Sequence, residues 1–158
     1  YIDNMSSLLK RYLEDGCSIF LASFCKHEGD DIAVSEILGN LITDDFAGRI
    51  STLSYDGTNG SALLNAISES DYVIASRFHG AILALAAGRP VLPIIYSDKT
   101  LHALESIGFQ GCRFDLRSAE PISYEESKEN WSNSNAIQMD ALCAAAQKHF
   151  LKLDLMLK

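Results

Sequence analysis

The sequence is short of positive charge. It has 13 Lys and Arg against 21 Asp and Glu, a formal net charge of −8. A protein that grips a nucleic-acid backbone needs a positive field, so that class of partner is excluded. Any anion site must be local, built from a few basic groups and helix N-termini. Four cysteines are present, and no two form a CxxC pair, which argues against a zinc site. Cys17 and Cys143 sit in apolar runs and read as small core residues, a pattern that fits a reducing compartment. No apolar run approaches the ~20 residues of a membrane span. The opening residues Tyr1, Ile2, Asp3 and Asn4 lack the charged and apolar regions of a signal peptide and include no initiator Met. The expectation is a piece of a longer chain. There is no GxGxxG fingerprint, GxxxxGK[ST] loop or GxSxG elbow, which leaves dinucleotide, nucleotide-hydrolysis and serine-hydrolase readings without support. Internal repeats and low-complexity segments are also missing.

What is there is globular. Hydrophobic residues make up 47% of 158 and charged residues 22%, enough for one ordinary domain over 1–158. Ile2, Met5, Leu8, Leu9, Tyr12 and Leu13 recur at helical spacing up to a stop at Gly16. Residues 17–24 are apolar and β-prone. The alternation then repeats, with strands expected at 50–55, 72–75, 91–96 and 113–116. Helices are expected around 32–42, 63–67, 79–87 and 101–107. Pro93 is a blemish in the fourth strand. Residues 117–135 are polar and read as a loop with at most one helical turn, and a long closing helix is expected over 142–156. Strand and helix alternating five times predict an α/β, Rossmann-like or flavodoxin-like three-layer fold. Its single parallel sheet should run in the order 2-1-3-4-5.

In such sheets ligands lie beyond the carboxyl ends of the strands, where strand order reverses. Three loops there carry chemistry. Ser76-Arg77-Phe78-His79-Gly80 opens the fourth helix. Arg77 offers a planar fork for carboxylate or phosphate, His79 a donor or proton carrier, and the first turn its unpaired N–H groups. The alternative is an arginine that pairs with a nearby carboxylate. Tyr96-Ser97-Asp98-Lys99 offers Lys99 as a mobile point charge, with Ser97 or Asp98 as the helix cap. Cys25-Lys26-His27-Glu28-Gly29-Asp30-Asp31 offers His27 and Glu28, with Asp30 or Asp31 as cap. His27 and Glu28 could equally be solvated loop residues. The expected strand order would bring His27 near Arg77 and His79.

The stretch from Ser70 through Val91 includes Asp71, an apolar strand, the Arg77-Phe78-His79 turn, an Ala/Leu-rich helix and a Gly88-Arg89-Pro90 stop. It closely resembles the signature of polysaccharide pyruvyl transferases. The turn at Tyr96-Ser97-Asp98-Lys99 is similar to that family's Tyr-Asp-x-Lys turn, one residue off its commonest spacing. The resemblance covers roughly residues 17–110. It implies one half, the C-terminal one, of a GT-B-like enzyme with two facing Rossmann-type domains, and a strand upstream of residue 1. It implies transfer of the enolpyruvyl group of phosphoenolpyruvate to a sugar or lipid-linked oligosaccharide in polysaccharide biosynthesis, without a cofactor or metal. Arg77 and His79 would be catalytic, and Ser76, Gly80, Lys99 and His27 would bind substrate. The partner implied is the missing N-terminal domain; the truncated start separately leads to the expectation of an apolar face through which a second copy could associate. The location expected is the cytoplasm, with a peripheral position at the inner membrane face as an option. Two other functions fit the same pattern: a nucleotide-sugar-dependent glycosyltransferase or epimerase, and a non-catalytic module that binds anionic sugars.

Overall fold

The structure, a computed structural model, describes residues 1–118 and 121–133. The closing helix expected over 142–156, with Cys143 and His149, lies outside the described residues. Helix α1 spans Ile2–Glu14 and buries Met5, Leu8, Leu9, Tyr12 and Leu13 on one face, the spacing seen in the sequence. It ends where Gly16 turns left-handed at φ 92. There Cys17 N–H donates to Tyr12 O at 2.9 Å and Gly16 N–H to Leu13 O at 3.1 Å, which satisfies the last carbonyls. The chain then alternates through β1 Ile19–Ser23, α2 Asp30–Leu41, β2 Ile50–Ser54, α3 Gly60–Glu69 and β3 Val73–Ala75. It continues through α4 Phe78–Ala86, β4 Val91–Ile95, α5 Asp98–Ser106, β5 Phe114–Asp115 and α6 Tyr124–Asn133.

Among the described residues every strand pair is parallel, as the alternation requires. Helices α1, α2 and α6 pack into one hydrophobic core, and α3, α4 and α5 into the other. The fold is thus mixed α/β, with helices on both faces of parallel strands, and is compatible with a Rossmann-like arrangement. Strand β4 is buried at all five positions, which is why it reads as a continuous apolar run. Pro93 is tolerated there because the ladder to β5 begins only at Ile94.

Among the described residues the single sheet of order 2-1-3-4-5 is not formed. Strands β1 and β2 make one sheet, and β3, β4 and β5 make another in that order. Side chains bridge the halves instead. Ala22 and Phe24 of the β1 segment pack with the α4 core, while Tyr72 and Ile74 of the β3 segment pack with the α1 core. Strand β3 has only three residues, and the edge facing β1 lies along a cavity rather than along a ladder.

The polar stretch after β5 differs from expectation too. Residues read as loop chemistry form the ten-residue helix α6. Their polar groups are spent inside the fold. Ser127 is 1% exposed and its Oγ lies 2.8 Å from Tyr12 Oη and 3.3 Å from Tyr72 Oη. Asn130 donates to Tyr72 Oη at 3.0 Å and Val91 O at 3.2 Å, and accepts from Cys112 N–H at 3.1 Å. Trp131 stacks on Tyr72, 5.5 Å between ring centroids and 3° from parallel. A helix docked through hydrogen bonds carries little hydrophobic period, so sequence pattern alone missed it. Burial also pushes the Tyr12 phenol up to about 12, with its Ser127 bond opposing the shift.

Candidate functional site

The site forms where the carboxyl ends of β1 and β3 face each other. Strand β1 ends at Ser23, and the chain turns through one 3-10 turn, Lys26–Glu28, into α2. Gly29, at φ 81, caps α2 with no side-chain hydrogen bond. Asp30 and Asp31 are therefore not the cap, as the sequence had suggested; they are the first two helical residues, and both carboxylates point back to the strand ends. Asp31 accepts from Ser54 Oγ at 2.9 Å and from Ser23 Oγ, so it ties β1 to β2. Those hydroxyls hold its carboxyl below the usual range. Asp30 Oδ2 accepts from the backbone N–H groups of Cys25 at 2.8 Å and Phe24 at 3.1 Å.

The second oxygen of Asp30 meets Arg77. Arg77 Nε donates to Asp30 Oδ1 at 2.9 Å, and Nη2 reaches the same oxygen. Arg77 Nη1 pairs with Glu28, and Nη2 also lies 3.4 Å from Glu28 O. The Asp30 bond, helped by Glu28 and Tyr96, raises the guanidinium above the ordinary arginine value against the opposing effect of burial. The group is permanently charged and aimed. The two partners differ in burial: the Asp30 side chain is 14% exposed, whereas that of Glu28 is 61% exposed. Asp30 is a fixed brace. Glu28 is a solvated partner whose hold on Arg77 is screened by water.

Arg77 is the residue before α4, in extended conformation, with no side-chain cap on the helix. The first turn of α4 therefore directs backbone N–H groups into the space beside Arg77. Gly80 is buried in that turn. A Cβ there would meet Ala75 Cβ and the Phe24 ring at 3.6 Å, so the helix starts close against both strand ends. On the next loop Ser97 is the α5 cap, accepting from Thr100 N–H at 3.5 Å. Asp98 pairs with Arg117, which also holds Asp115.

A cavity of about 1040 Å³ runs between β1 and β3 and opens at this end. Ser76, Arg77 and Gly80 line it, together with Glu28, Asp30 and Tyr96. His27, His79 and Lys99 do not. All three are exposed, His27 on the 3-10 turn beside Glu28 and His79 on the first turn of α4 next to the Phe78 ring. The topology thus delivers the first loop to Arg77, but through Glu28 and Asp30 rather than His27. The sequence by itself offers Asp30 only as a cap. The available signal was two adjacent acids a few residues beyond a strand end, facing a lone arginine beyond the next strand of the crevice.

A family model described as polysaccharide pyruvyl transferase matches residues 1–98. The chain belongs to that family. The matched segment holds α1 to β4 and ends at Asp98, so it contains the whole Arg77 constellation. As a polysaccharide pyruvyl transferase family member, the chain carries a coarse assignment to transferase chemistry. No curated protein and no solved structure matches the chain. Among the described residues no helix is long and apolar enough to cross a membrane.

Proposed function

We propose that this chain is the phosphoenolpyruvate-binding half of a polysaccharide pyruvyl transferase, the C-terminal half of a GT-B-like enzyme. The observation that carries the proposal is Arg77: an arginine ionised and braced by Asp30 at a cleft mouth, beside the open first turn of α4. Phosphoenolpyruvate bears a carboxylate and a phosphate, and a preorganised fork with a helix N-terminus suits either group. Entry of the ligand would displace the exposed Glu28 carboxylate and leave the Asp30 brace in place.

In the reaction C3 of phosphoenolpyruvate gains a proton. A first sugar hydroxyl joins C2, the bond from C2 to the phosphate oxygen breaks, and a second hydroxyl joins C2 to close the ketal. Of the two hydroxyl protons, one balances the proton taken by C3 and the other accompanies the departing phosphate. Arg77 and the α4 N–H groups stabilise charge on the carboxylate and on the leaving phosphate. His79, exposed at the same helix start, would act from there as donor or proton carrier. Ser76 and Gly80 shape the turn, Lys99 supplies outer charge and His27 a further hydrogen-bonding group. The acceptor, a sugar or lipid-linked oligosaccharide, docks from a facing N-terminal domain. A lipid-linked acceptor places the reaction at the inner membrane face of the cytoplasm.

Calorimetric titration of phosphoenolpyruvate, UDP-sugar and GDP-sugar into the protein, with phosphate release measured in the intact enzyme plus acceptor, tests this. Binding of phosphoenolpyruvate and release of phosphate is the expected result. Binding of a nucleotide-sugar instead, or binding without turnover by the intact enzyme, refutes it.

A further inference from the structure

The Arg77 guanidinium presents two edges to acids of different kinds. Its side edge faces Asp30: Nε donates to Asp30 Oδ1 at 2.9 Å, and Nη2 reaches the same oxygen. Its end edge faces the turn that carries Glu28. There Nη1 pairs with the Glu28 carboxylate, and Nη2 lies 3.4 Å from Glu28 O. A guanidinium holds a carboxylate or phosphate best through one such edge, with two parallel N–H donors. An entering anion must therefore take an edge that an acid already occupies.

Only the end edge can be given up. The Asp30 side chain is 14% exposed, and its Oδ2 accepts from the backbone N–H groups of Cys25 at 2.8 Å and Phe24 at 3.1 Å. Moving it would strip those donors and leave a partly buried carboxylate without its cation. Glu28 is held by nothing comparable. Among the described residues its carboxylate has no hydrogen-bond partner besides Arg77, and the side chain is 61% exposed. The turn Lys26–Glu28 buries no residue, and Gly29, at φ 81, separates it from α2. Rotation of the Glu28 side chain frees the end edge while the turn and Asp30 stay in place. Glu28, Arg77 and Gly80 of the first turn of α4 all line the cavity, so the vacated edge opens where an anion enters.

We infer that Glu28 is a specificity-determining residue of this site. Its carboxylate is a built-in competitor for the end edge of Arg77, and every anion that binds there must displace it. The inference rests on the reading of Arg77 as an anion clamp. The competition lowers the affinity of all such anions and so raises the threshold for binding. An anion with a single group, such as free phosphate, gains little beyond what Glu28 surrenders. A ligand with two anionic groups can set one on Arg77 and the other at the open first turn of α4, and it clears the threshold. When the bond between its two groups breaks, neither product keeps both anchors, and Glu28 reclaims the arginine. The acid thus favours the intact donor over its separated products.

The test is calorimetric titration of phosphoenolpyruvate, and separately of inorganic phosphate, into the protein and its Glu28→Gln and Asp30→Asn variants, at low and high salt. Glu28→Gln should tighten both ligands by about three- to tenfold at low salt. The difference should shrink at high salt, because an exposed ion pair is screened. Asp30→Asn should weaken both ligands, since it releases the arginine from its brace. Opposite signs from two acids on one arginine are not expected of a purely structural cluster. Unchanged or weaker phosphate binding by Glu28→Gln overturns the inference and makes Glu28 a second brace. Tightening by Asp30→Asn as well overturns it too, because the effect is then one of net charge. The donor assignment fails separately. If Glu28→Gln tightens phosphate while no form of the protein binds phosphoenolpyruvate, the competitor stands and the donor is wrong. If phosphoenolpyruvate binds the protein and Glu28→Gln equally well, the donor stands and the competitor falls.

Discussion

Replacing Arg77 with alanine separates a structural arginine from an anion-binding one. In the structure the guanidinium makes two ion pairs of unequal worth. The pair with Glu28, whose side chain is 61% exposed, contributes about 0–1 kcal/mol. The pair with Asp30, whose side chain is 14% exposed, is a charge-assisted contact of about 1.5–3 kcal/mol. Arg77→Ala should therefore destabilise the fold by about 2–3 kcal/mol, a drop in Tm of about 5–10 °C for a chain of this size. A double-mutant cycle with Asp30→Asn should show most of that loss as coupling between the two residues. In the intact enzyme, turnover by the folded fraction should fall by about 10²–10³ as well, the scale of losing one preorganised donor to developing charge. Arg77→Lys should restore part of it, since a point charge cannot reproduce the fork. Melting curves and phosphate release, measured on the same samples below Tm, give both numbers. If Tm falls as stated while the folded fraction turns over at the unmodified rate, Arg77 is a brace and not a clamp. A coupling below about 0.5 kcal/mol removes the ion pair itself from the argument.

Acid should loosen the clasp at the β5 end. Arg117 holds the Asp115 carboxyl down to about 2 from its ordinary 3.8. A depressed folded value means that the stabilisation is complete above about pH 4 and is lost as pH falls through about 2; a carboxyl NMR titration of Asp115 reads the midpoint directly. Two glycines should part company in denaturant melts. Gly88 holds φ 67 after α4, so Gly88→Ala should cost about 1 kcal/mol. Gly80 has ordinary helical space, with neighbours at 3.6 Å, so Gly80→Ala should change stability by less than about 1 kcal/mol.

Much of the fold is local and was legible without coordinates. The face of α1, the stop at Gly16, the five strands and a cap at Ser97 or Asp98, which the structure resolves to Ser97, each depend on residues within a few positions of one another. Periodicity and capping are short-range physics, and so is the placement of Arg77 on a turn between a strand and a helix. The family resemblance rests on the same contiguous stretch, which is why it was visible. Three features were decided only in three dimensions. Arg77 and Asp30 are 47 positions apart, and which acid of the first loop reaches the arginine depends on how β1 and β3 are set across their gap. Helix α6 is held by Ser127 and Asn130, polar residues whose partners Tyr12, Tyr72 and Val91 lie far away in the chain. The sheet divides between β1 and β3 because pairing is a relation between strands. An apolar run of the right length declares that a strand exists, but the neighbour that takes its hydrogen bonds is chosen by the topology around it.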